Sequence, residues 1–208
     1  MRRTSAFALA AAALFGCGNS AAPRLIPVAF GSDWRRVATP SDRERLRAWR
    51  QTWQRALTAA RRAAPEAIAA QGALFDYDRA LDQPIPPAGS YSCRVYKLGA
   101  RQPEQLDYVD YPAVACRVAV DAGGVLRLEK LTGAQRPTGV IFADNGLRAV
   151  FLGVMILGDE ARPYPYGREP ARDLAGWVER IGPARWRVAL PQPAFESLLD
   201  VVELVPAG

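Results

Sequence analysis

The first regular pattern along the chain is a helical one, and it lies between Thr39 and Pro65. Apolar residues recur there every three or four positions, at Leu46, Trp49, Trp53, Leu57 and Ala60. This spacing predicts one amphipathic helix of about 25 residues whose apolar stripe docks on the body of the fold. Thr39 or Ser41 is the expected cap, Pro40 suits the first turn, and Pro65 ends or kinks the helix.

The apolar period changes to two after a cluster of three prolines, Pro84, Pro86 and Pro87. Eight segments then have strand character, at residues 90–98, 113–120, 125–131, 138–142, 147–157, 173–181, 185–190 and 198–205. Turn sequences such as Asp144-Asn145-Gly146 favour sequential antiparallel hairpins. The sequence therefore predicts a mainly β fold, a single antiparallel up-and-down barrel or coiled sheet of about eight strands, with the N-terminal helix packed on it.

The predicted organisation has four parts. Residues 1–16 form a signal peptide, 17–31 a lipidated tether, 32–80 a helical segment, and 88–206 a barrel-like domain that is one structural unit with the helix. A second short helix is expected at 66–71, stopped by Gly72. Barrels of about eight strands have interiors that are either filled by side chains or just wide enough for one small ligand. The sequence pattern does not decide between these two alternatives.

The first seventeen residues predict where the protein is found. Met1-Arg2-Arg3 precedes an apolar run at 6–15, and Leu14-Phe15-Gly16-Cys17 reads as a bacterial lipobox. The run is about ten residues, short of the ~20 that span a bilayer, so a cleaved leader is favoured over a membrane helix. We expect lipidation of Cys17, which anchors the chain to a membrane; the alternative is a plain secretory signal.

The number of cysteines and the absence of histidine limit the catalytic and metal-binding chemistry of the chain. With Cys17 assigned to lipid, Cys93 and Cys116 remain as a pair on neighbouring predicted strands, and a disulfide is expected in an oxidising compartment; a reactive thiol is the alternative. The chain contains no histidine. This excludes Ser-His-Asp and Cys-His catalysis and histidine-ligated zinc. No metal and no cofactor is predicted.

The charge is mildly basic. Removal of the leader takes away Arg2 and Arg3 and lowers the formal net charge from +6 to +4. The remaining positive residues are spread singly and form no recognisable nucleic-acid module. Nucleic-acid binding is therefore not expected.

Two predicted loops carry candidate binding residues. The first holds Lys130, Thr132, Gln135 and Arg136, and the second holds Asp159, Glu160, Tyr164, Tyr166 and Arg168. Loops on a rigid barrel often carry recognition, although ordinary turn composition explains the same residues. Adjacent carboxylates such as Asp159 and Glu160 diverge instead of converging across a cleft, so no catalytic residue is predicted.

Five segments of the chain are distinctive: ATPSDRERL (38–46), YSCRVYKLG (91–99), KLTGAQRP (130–137), DLAGWVERIGP (173–183) and FESLLDVVEL (195–204). Together they resemble the bacterial envelope proteins grouped as domain of unknown function 4893. The resemblance implies membership of an uncharacterised family and transfers no catalytic residue. The chain is also loosely similar to lipocalin-like barrels. Tyr91 in Gly89-Ser90-Tyr91 stands where their opening pattern has tryptophan, and the helix precedes the strands.

These patterns support three functional hypotheses. The leading one is a lipid-tethered barrel in the bacterial cell envelope, facing the periplasm, that binds a small apolar ligand. The second is a structural or inhibitory protein whose loops contact another envelope protein, and the third is a hydrolase using carboxylates and tyrosine. Gly18 follows the lipidated cysteine where inner-membrane retention would have aspartate, so we expect the outer membrane.

Overall fold

The computed structural model describes residues 33–208. The predicted signal peptide at 1–16, the tether and Cys17 lie outside the described residues. The helices are α1 (Trp34–Val37), α2 (Pro40–Arg47), α3 (Trp49–Ala63) and α4 (Pro65–Ala70), followed by a 3₁₀ turn at Gly72–Leu74.

The helical segment differs from the sequence prediction in one respect. A single helix of about 25 residues is wrong, because the backbone of Ala48 (φ −83°, ψ 2°) separates α2 from α3. The break lets the two helices follow different parts of the curved wall, α2 on the seventh strand and α3 on the first and last. The predicted Thr39 cap is confirmed, since its side chain accepts a hydrogen bond from the Asp42 N–H. The short α1 was not predicted.

The strands form one antiparallel sheet. They are β1 (Gly89–Ala100), β2 (Tyr108–Asp110), β3 (Val114–Val120), β4 (Leu126–Lys130), β5 (Gln135–Ala143), β6 (Ala149–Leu157), β7 (Asp173–Gly182), β8 (Arg185–Pro191) and β9 (Ser197–Pro206). The pairing of β1 with β9, from Tyr91↔Pro206 to Ala100↔Ser197, closes the sheet into a barrel. The predicted up-and-down barrel of about eight strands is therefore confirmed. The three-residue β2, which extends β1 beyond β3, was too short to predict.

The barrel interior is packed with side chains. Buried residues from β1 and from β3 to β9 form one continuous cluster on the inner face. Phe151 is fully buried there, and its ring lies against the backbone of β5 and β6. A Cβ atom on Gly139 or Gly153 would stand 2.8 or 2.6 Å from its Cζ. Side chains therefore fill the interior, which is one of the two arrangements expected for a barrel of about eight strands.

The helices cover the outside of the barrel wall. Trp53, Leu57 and other residues of α3 and α4 pack on the outer faces of β1, β7, β8 and β9. Trp34 and Leu46 pack with outward residues of β5, β6 and β7. The predicted packing of the N-terminal helical segment on the barrel is confirmed.

The predicted disulfide is confirmed. Cys93 on β1 and Cys116 on β3 are bonded, with Cα atoms 5.8 Å apart. Both cysteines are buried on the inner face of the barrel. The bond therefore joins neighbouring strands within the core, as the alternation of the two segments predicted.

Candidate functional site

A cavity of about 480 Å³ lies outside the barrel, between the helices and the loop that follows them. Its apolar wall comes from Pro65, Ile68 and Ala69 of α4 and from Phe75 and Tyr77 of the loop. Small-molecule sites commonly have volumes of about 300–1,000 Å³ and apolar walls with a few polar groups. The volume of the cavity falls in this range, and its lining combines apolar side chains with charged ones. The cavity was not predicted from the sequence.

Backbone chemistry determines where the cavity forms. Pro65 occupies the first turn of α4 and so begins a new helix directly after α3 ends. Gly72 has φ +54°, a conformation that favours glycine, and it turns the chain away from α4. The turn returns residues 73–79 toward α4, and the cavity lies between them.

One arginine of the barrel wall binds the loop at residues 73–79 through hydrogen bonds. Arg187 lies on the outward face of β8 and is fully buried. Its guanidinium donates to four main-chain carbonyls, those of Ala73 (3.1 Å), Leu74 (2.8 Å), Asp76 (2.8 Å) and Arg79 (3.0 Å). Residues 75–79 form no helix or strand of their own, so Arg187 supplies hydrogen bonds that the backbone would otherwise lack. Arg187 is therefore a positioning residue for the cavity wall.

The charge of Arg187 is balanced inside the protein. Glu179 on β7, also fully buried, lies 2.6 Å from Arg187 Nη2 and accepts from Arg187 Nε at 2.8 Å. Glu179 also accepts from Arg148 Nε at 2.6 Å, and the Arg187 guanidinium lies over the Trp53 ring at 4.7 Å. Burial lowers the pKa of Arg187, and Glu179 opposes that effect. An arginine nevertheless stays protonated in proteins, so the pair is ionic.

An ion pair neutralises part of the charge at the polar edge of the cavity. Arg50 pairs with Asp78 at 2.5 Å and lies over the Tyr77 ring at 4.9 Å. Asp76 accepts a hydrogen bond from the Asp78 N–H. Arg61, also on the lining, makes no ion pair or side-chain hydrogen bond with any residue in the range 33–208. Its guanidinium is available to a ligand that carries an acceptor or an anionic group.

Comparison with protein families identifies the chain. A family model described as Domain of unknown function (DUF4893) matches residues 34–204. The chain belongs to this family. The DUF4893 match runs from the first residue of α1 into β9, so it includes the cavity, its helices and the barrel. Neither the curated proteins nor the solved structures contain a match to the chain.

The two loops predicted from the sequence lie side by side in the DUF4893 protein. Arg136 donates to the carbonyl oxygens of Gly158 (2.6 Å) and Glu160 (2.9 Å), which joins the β4–β5 loop to the β6–β7 loop. Lys130 donates to the carbonyls of Thr132 and Gln135 at 2.8 and 2.9 Å. Burial lowers the pKa of Lys130, assisted by Arg136 and Lys97. The predicted loop is therefore shorter than expected, because Lys130 ends β4 and Gln135 and Arg136 begin β5. Thr132 lies in the loop and is exposed.

The acidic and aromatic residues of the second loop separate into internal and exposed groups. Glu160 pairs with Arg172 at 2.7 Å and accepts from the Leu157 N–H at 2.8 Å. Asp159, Tyr164 and Arg168 are exposed. Asp159 and Glu160 therefore have different surroundings.

Tyr166 is partly buried, and its hydroxyl binds within the protein. Its hydroxyl donates to Asp42 Oδ2 at 2.5 Å and accepts from the Thr39 N–H at 3.2 Å. Burial, and then the charge of Asp42, raise the pKa of Tyr166 well above its usual value. The contact ties the β6–β7 loop to the start of α2.

Replacing Tyr166 with phenylalanine is expected to reduce stability by about 1.5–3 kcal/mol at pH 7, because buried Asp42 loses a donor. The wild type should lose stability as the pH rises above 10, because the folded state retains the Tyr166 proton where the unfolded chain releases it. This loss of stability at high pH should be smaller in Tyr166→Phe. Part of the loss should remain in that variant, because burial also raises the pKa of Tyr96, to about 12.

Urea unfolding at pH 7 and pH 10–11 measures both effects. Exposed Tyr164→Phe is the control, and equal alkaline losses in all three proteins would contradict this role.

Sequence reasoning missed a buried polar group at the same end of the barrel. Lys97 on β1 faces Asp200 on β9 in the closing strand pair, with Lys97 Nζ 3.2 Å from Asp200 Oδ2 and 3.1 Å from Glu196 Oε2. Ser197 donates to Asp200 Oδ1. Burial raises the pKa of Asp200, while Asp200 and Glu196 outweigh burial at Lys97 and raise its pKa. Lys97 therefore holds its proton and cannot act as a base at neutral pH.

Two further observations concern sites of other kinds. Over residues 33–208, no cluster of three or more cysteine, aspartate or glutamate side chains could hold a metal ion. In the same part of the chain, no helix is both long and apolar enough to cross a bilayer.

Proposed function

We propose that this DUF4893 protein is a lipid-anchored, periplasm-facing binding protein without catalytic activity, and that it holds a small molecule with an apolar body. The observation that carries the proposal is the cavity of about 480 Å³ outside the barrel. The barrel interior is a less suitable place for a ligand, because Phe151 and its neighbours occupy it. The barrel then acts as a rigid support for the cavity.

The lining indicates the chemistry of the ligand. Pro65, Ala69 and Tyr77 offer an apolar surface, which favours an aliphatic or aromatic body. Arg61 offers donors at the edge, while Asp78 is already paired with Arg50. An amphipathic molecule with one anionic or hydrogen-bond-accepting group matches this arrangement.

The cellular location rests on the first residues of the chain. A basic start, a short apolar run and Gly16-Cys17 favour a lipid on Cys17 and a place in the cell envelope. Two or more acyl chains are needed for stable anchoring. Gly18 favours the outer membrane.

Binding of 8-anilinonaphthalene-1-sulfonate, which has an apolar body and one anionic group, tests the cavity. We expect saturable binding of one molecule to the wild type. Ala69→Trp fills the cavity and should weaken binding at least about tenfold, or 1.4 kcal/mol. Ala70→Trp is the matched control, since Ala70 is exposed on the same helix and is not on the lining. Equal binding by both variants, with unchanged circular dichroism, would refute the cavity as the site.

The role of Arg61 is tested with the same probe. Arg61→Gln should weaken binding of the anionic probe more than binding of an uncharged analogue that lacks the sulfonate. Arg62→Gln removes the same charge from a neighbouring exposed position outside the lining and should leave both affinities unchanged.

A second candidate function is a contact with another envelope protein through the loops at the Lys97 end of the barrel. Four large apolar side chains are exposed on these loops: Leu106 (71%), Tyr111 (42%), Leu131 (45%) and Tyr164 (45%). Aromatic residues on rigid loops are typical of protein interfaces. Photo-crosslinking in cells from Leu131 or Tyr164 should capture one specific protein if this function holds. Crosslinking from Arg117 on the outer face of β3 is the control.

A further inference from the structure

The positive charge of the chain is concentrated in the helices. Residues 33–70 contain nine arginines and four carboxylates, a net charge of +5. Residues 71–208 contain fifteen basic and seventeen acidic side chains, a net charge of −2. The modest overall charge therefore hides a strongly basic helical segment on a slightly acidic barrel.

The exposed arginines of α2 and α3 share one surface, which we call the arginine face. It consists of Arg47, Arg50, Arg55, Arg61 and Arg62, all exposed. The four arginines of α3 fall within an arc of about 140° at ~100° per residue, and Arg47 ends α2 two residues before α3 begins. The buried stripe that includes Trp53 and Leu57 lies on the opposite side of α3. The arginine face therefore points away from the barrel.

Most of this charge is not neutralised by the protein itself. Helix α3 contains no aspartate or glutamate. Arg50 pairs with Asp78, but within the described chain, residues 33–208, Arg47, Arg55 and Arg62 make no ion pair and no side-chain hydrogen bond. Exposed arginines without carboxylate partners keep their full attraction for an external anionic surface.

The position of the arginine face in the chain indicates what that surface is. The helices directly follow the tether, and Cys17 precedes Asp33 by only sixteen residues. Even a fully extended chain of that length spans at most ~58 Å, so an anchor at Cys17 would hold the helices within that distance of the bilayer and raise their local concentration at its surface. Juxtamembrane basic residues gain about 1 kcal/mol each near anionic lipid.

We infer that the arginine face binds the anionic phospholipid headgroups of the membrane that carries the anchor. The inference rests on the proposed lipid-anchored function and adds an orientation to it. Docking by this face would place the helices against the membrane and direct the barrel away from it. Because Arg61 belongs both to the face and to the cavity lining, the cavity would open beside the lipid surface.

Partitioning onto lipid vesicles tests the inference without the anchor. The full chain carrying Cys17→Ala is mixed with vesicles of phosphatidylcholine alone or with added phosphatidylglycerol. In the face variant, Arg47, Arg55 and Arg62 are replaced by glutamine, which has similar helix propensity and leaves Arg61 in the cavity. The control variant replaces Arg117, Arg162 and Arg168, which are exposed outside the helical segment. Both variants lose the same net charge, and the leader is common to all proteins.

We expect selective partitioning onto phosphatidylglycerol vesicles that weakens with salt. The face variant should partition on the order of a hundredfold more weakly, and the control variant should stay within about threefold of the parent. Equal loss in both variants, no preference for anionic lipid, or tighter binding to a single-stranded oligonucleotide than to the vesicles would overturn the inference. Probe binding to the cavity is measured on the same variants, so that failure of the face is distinguished from failure of the proposed binding function.

Discussion

Replacing Arg187 with methionine is expected to lower the free energy of unfolding by about 3–5 kcal/mol. The substitution removes a buried cation that lies 2.6 Å from the Glu179 carboxylate. It also removes the donor that four carbonyls of residues 73–79 share. Buried carbonyls without donors each cost about 1–3 kcal/mol, so the loop should lose order as well as stability.

The double variant Arg187→Met/Glu179→Leu distinguishes the two causes. A buried ion pair replaced by apolar residues often leaves stability unchanged. If the ion pair were the whole effect, the double variant would regain nearly wild-type stability in urea unfolding. The double variant also loses the partly exposed pair of Arg148 with Glu179, which we expect to contribute about 1 kcal/mol. We expect it to remain at least about 2 kcal/mol less stable than the wild type, because the loop carbonyls still lack their donor. Arg117→Met is the control, since its exposed pair with Glu129 should contribute under about 1 kcal/mol.

Replacing Phe151 with alanine is expected to cost about 3–5 kcal/mol. Phe151 is fully buried inside the barrel, and Gly139 and Gly153 leave space for its ring against the backbone. A Cβ on either glycine would stand 2.3 Å from a backbone oxygen, so the wall cannot collapse easily into the space that the ring leaves. The loss in free energy of unfolding should therefore include the full contribution of the empty space that the missing ring leaves.

Chemical unfolding of Phe151→Ala measures this cost, with Leu147→Ala as the control. Leu147 is 46% exposed, and its truncation should change stability by no more than about 0.5 kcal/mol. A loss below about 1.5 kcal/mol for Phe151→Ala would indicate a loosely packed interior with room for a ligand. That outcome would favour the barrel interior over the outer cavity.

The periodicity of the sequence was sufficient to predict the barrel, but it did not predict the break between α2 and α3. Alternation at Cys93 and Cys116 placed both residues inward, and the disulfide confirms it. The break at Ala48 carries no local signal, because alanine is a good helix former. The chain leaves the helix there because α2 and α3 contact different strands, and such a tertiary cause is not visible in local spacing.

The site was harder to predict than the fold because its residues are distant in sequence. Arg187 contacts carbonyls more than a hundred positions away, and Lys97 meets Asp200 only because the barrel closes. One signal was available: a charged residue in an apolar strand, such as Arg187 within Arg185–Pro191, must find a buried partner. The structure brings the two candidate loops to one end of the barrel, where hydrogen bonds within the protein occupy Arg136, Glu160 and Tyr166.

A crystal structure of the protein with bound 8-anilinonaphthalene-1-sulfonate tests the account most directly. We expect the probe between α4 and residues 75–78, with its sulfonate within hydrogen-bond distance of Arg61 and with Phe151 unmoved inside the barrel. A probe located within the barrel, against a displaced Phe151, would contradict the assignment of the outer cavity as the binding site.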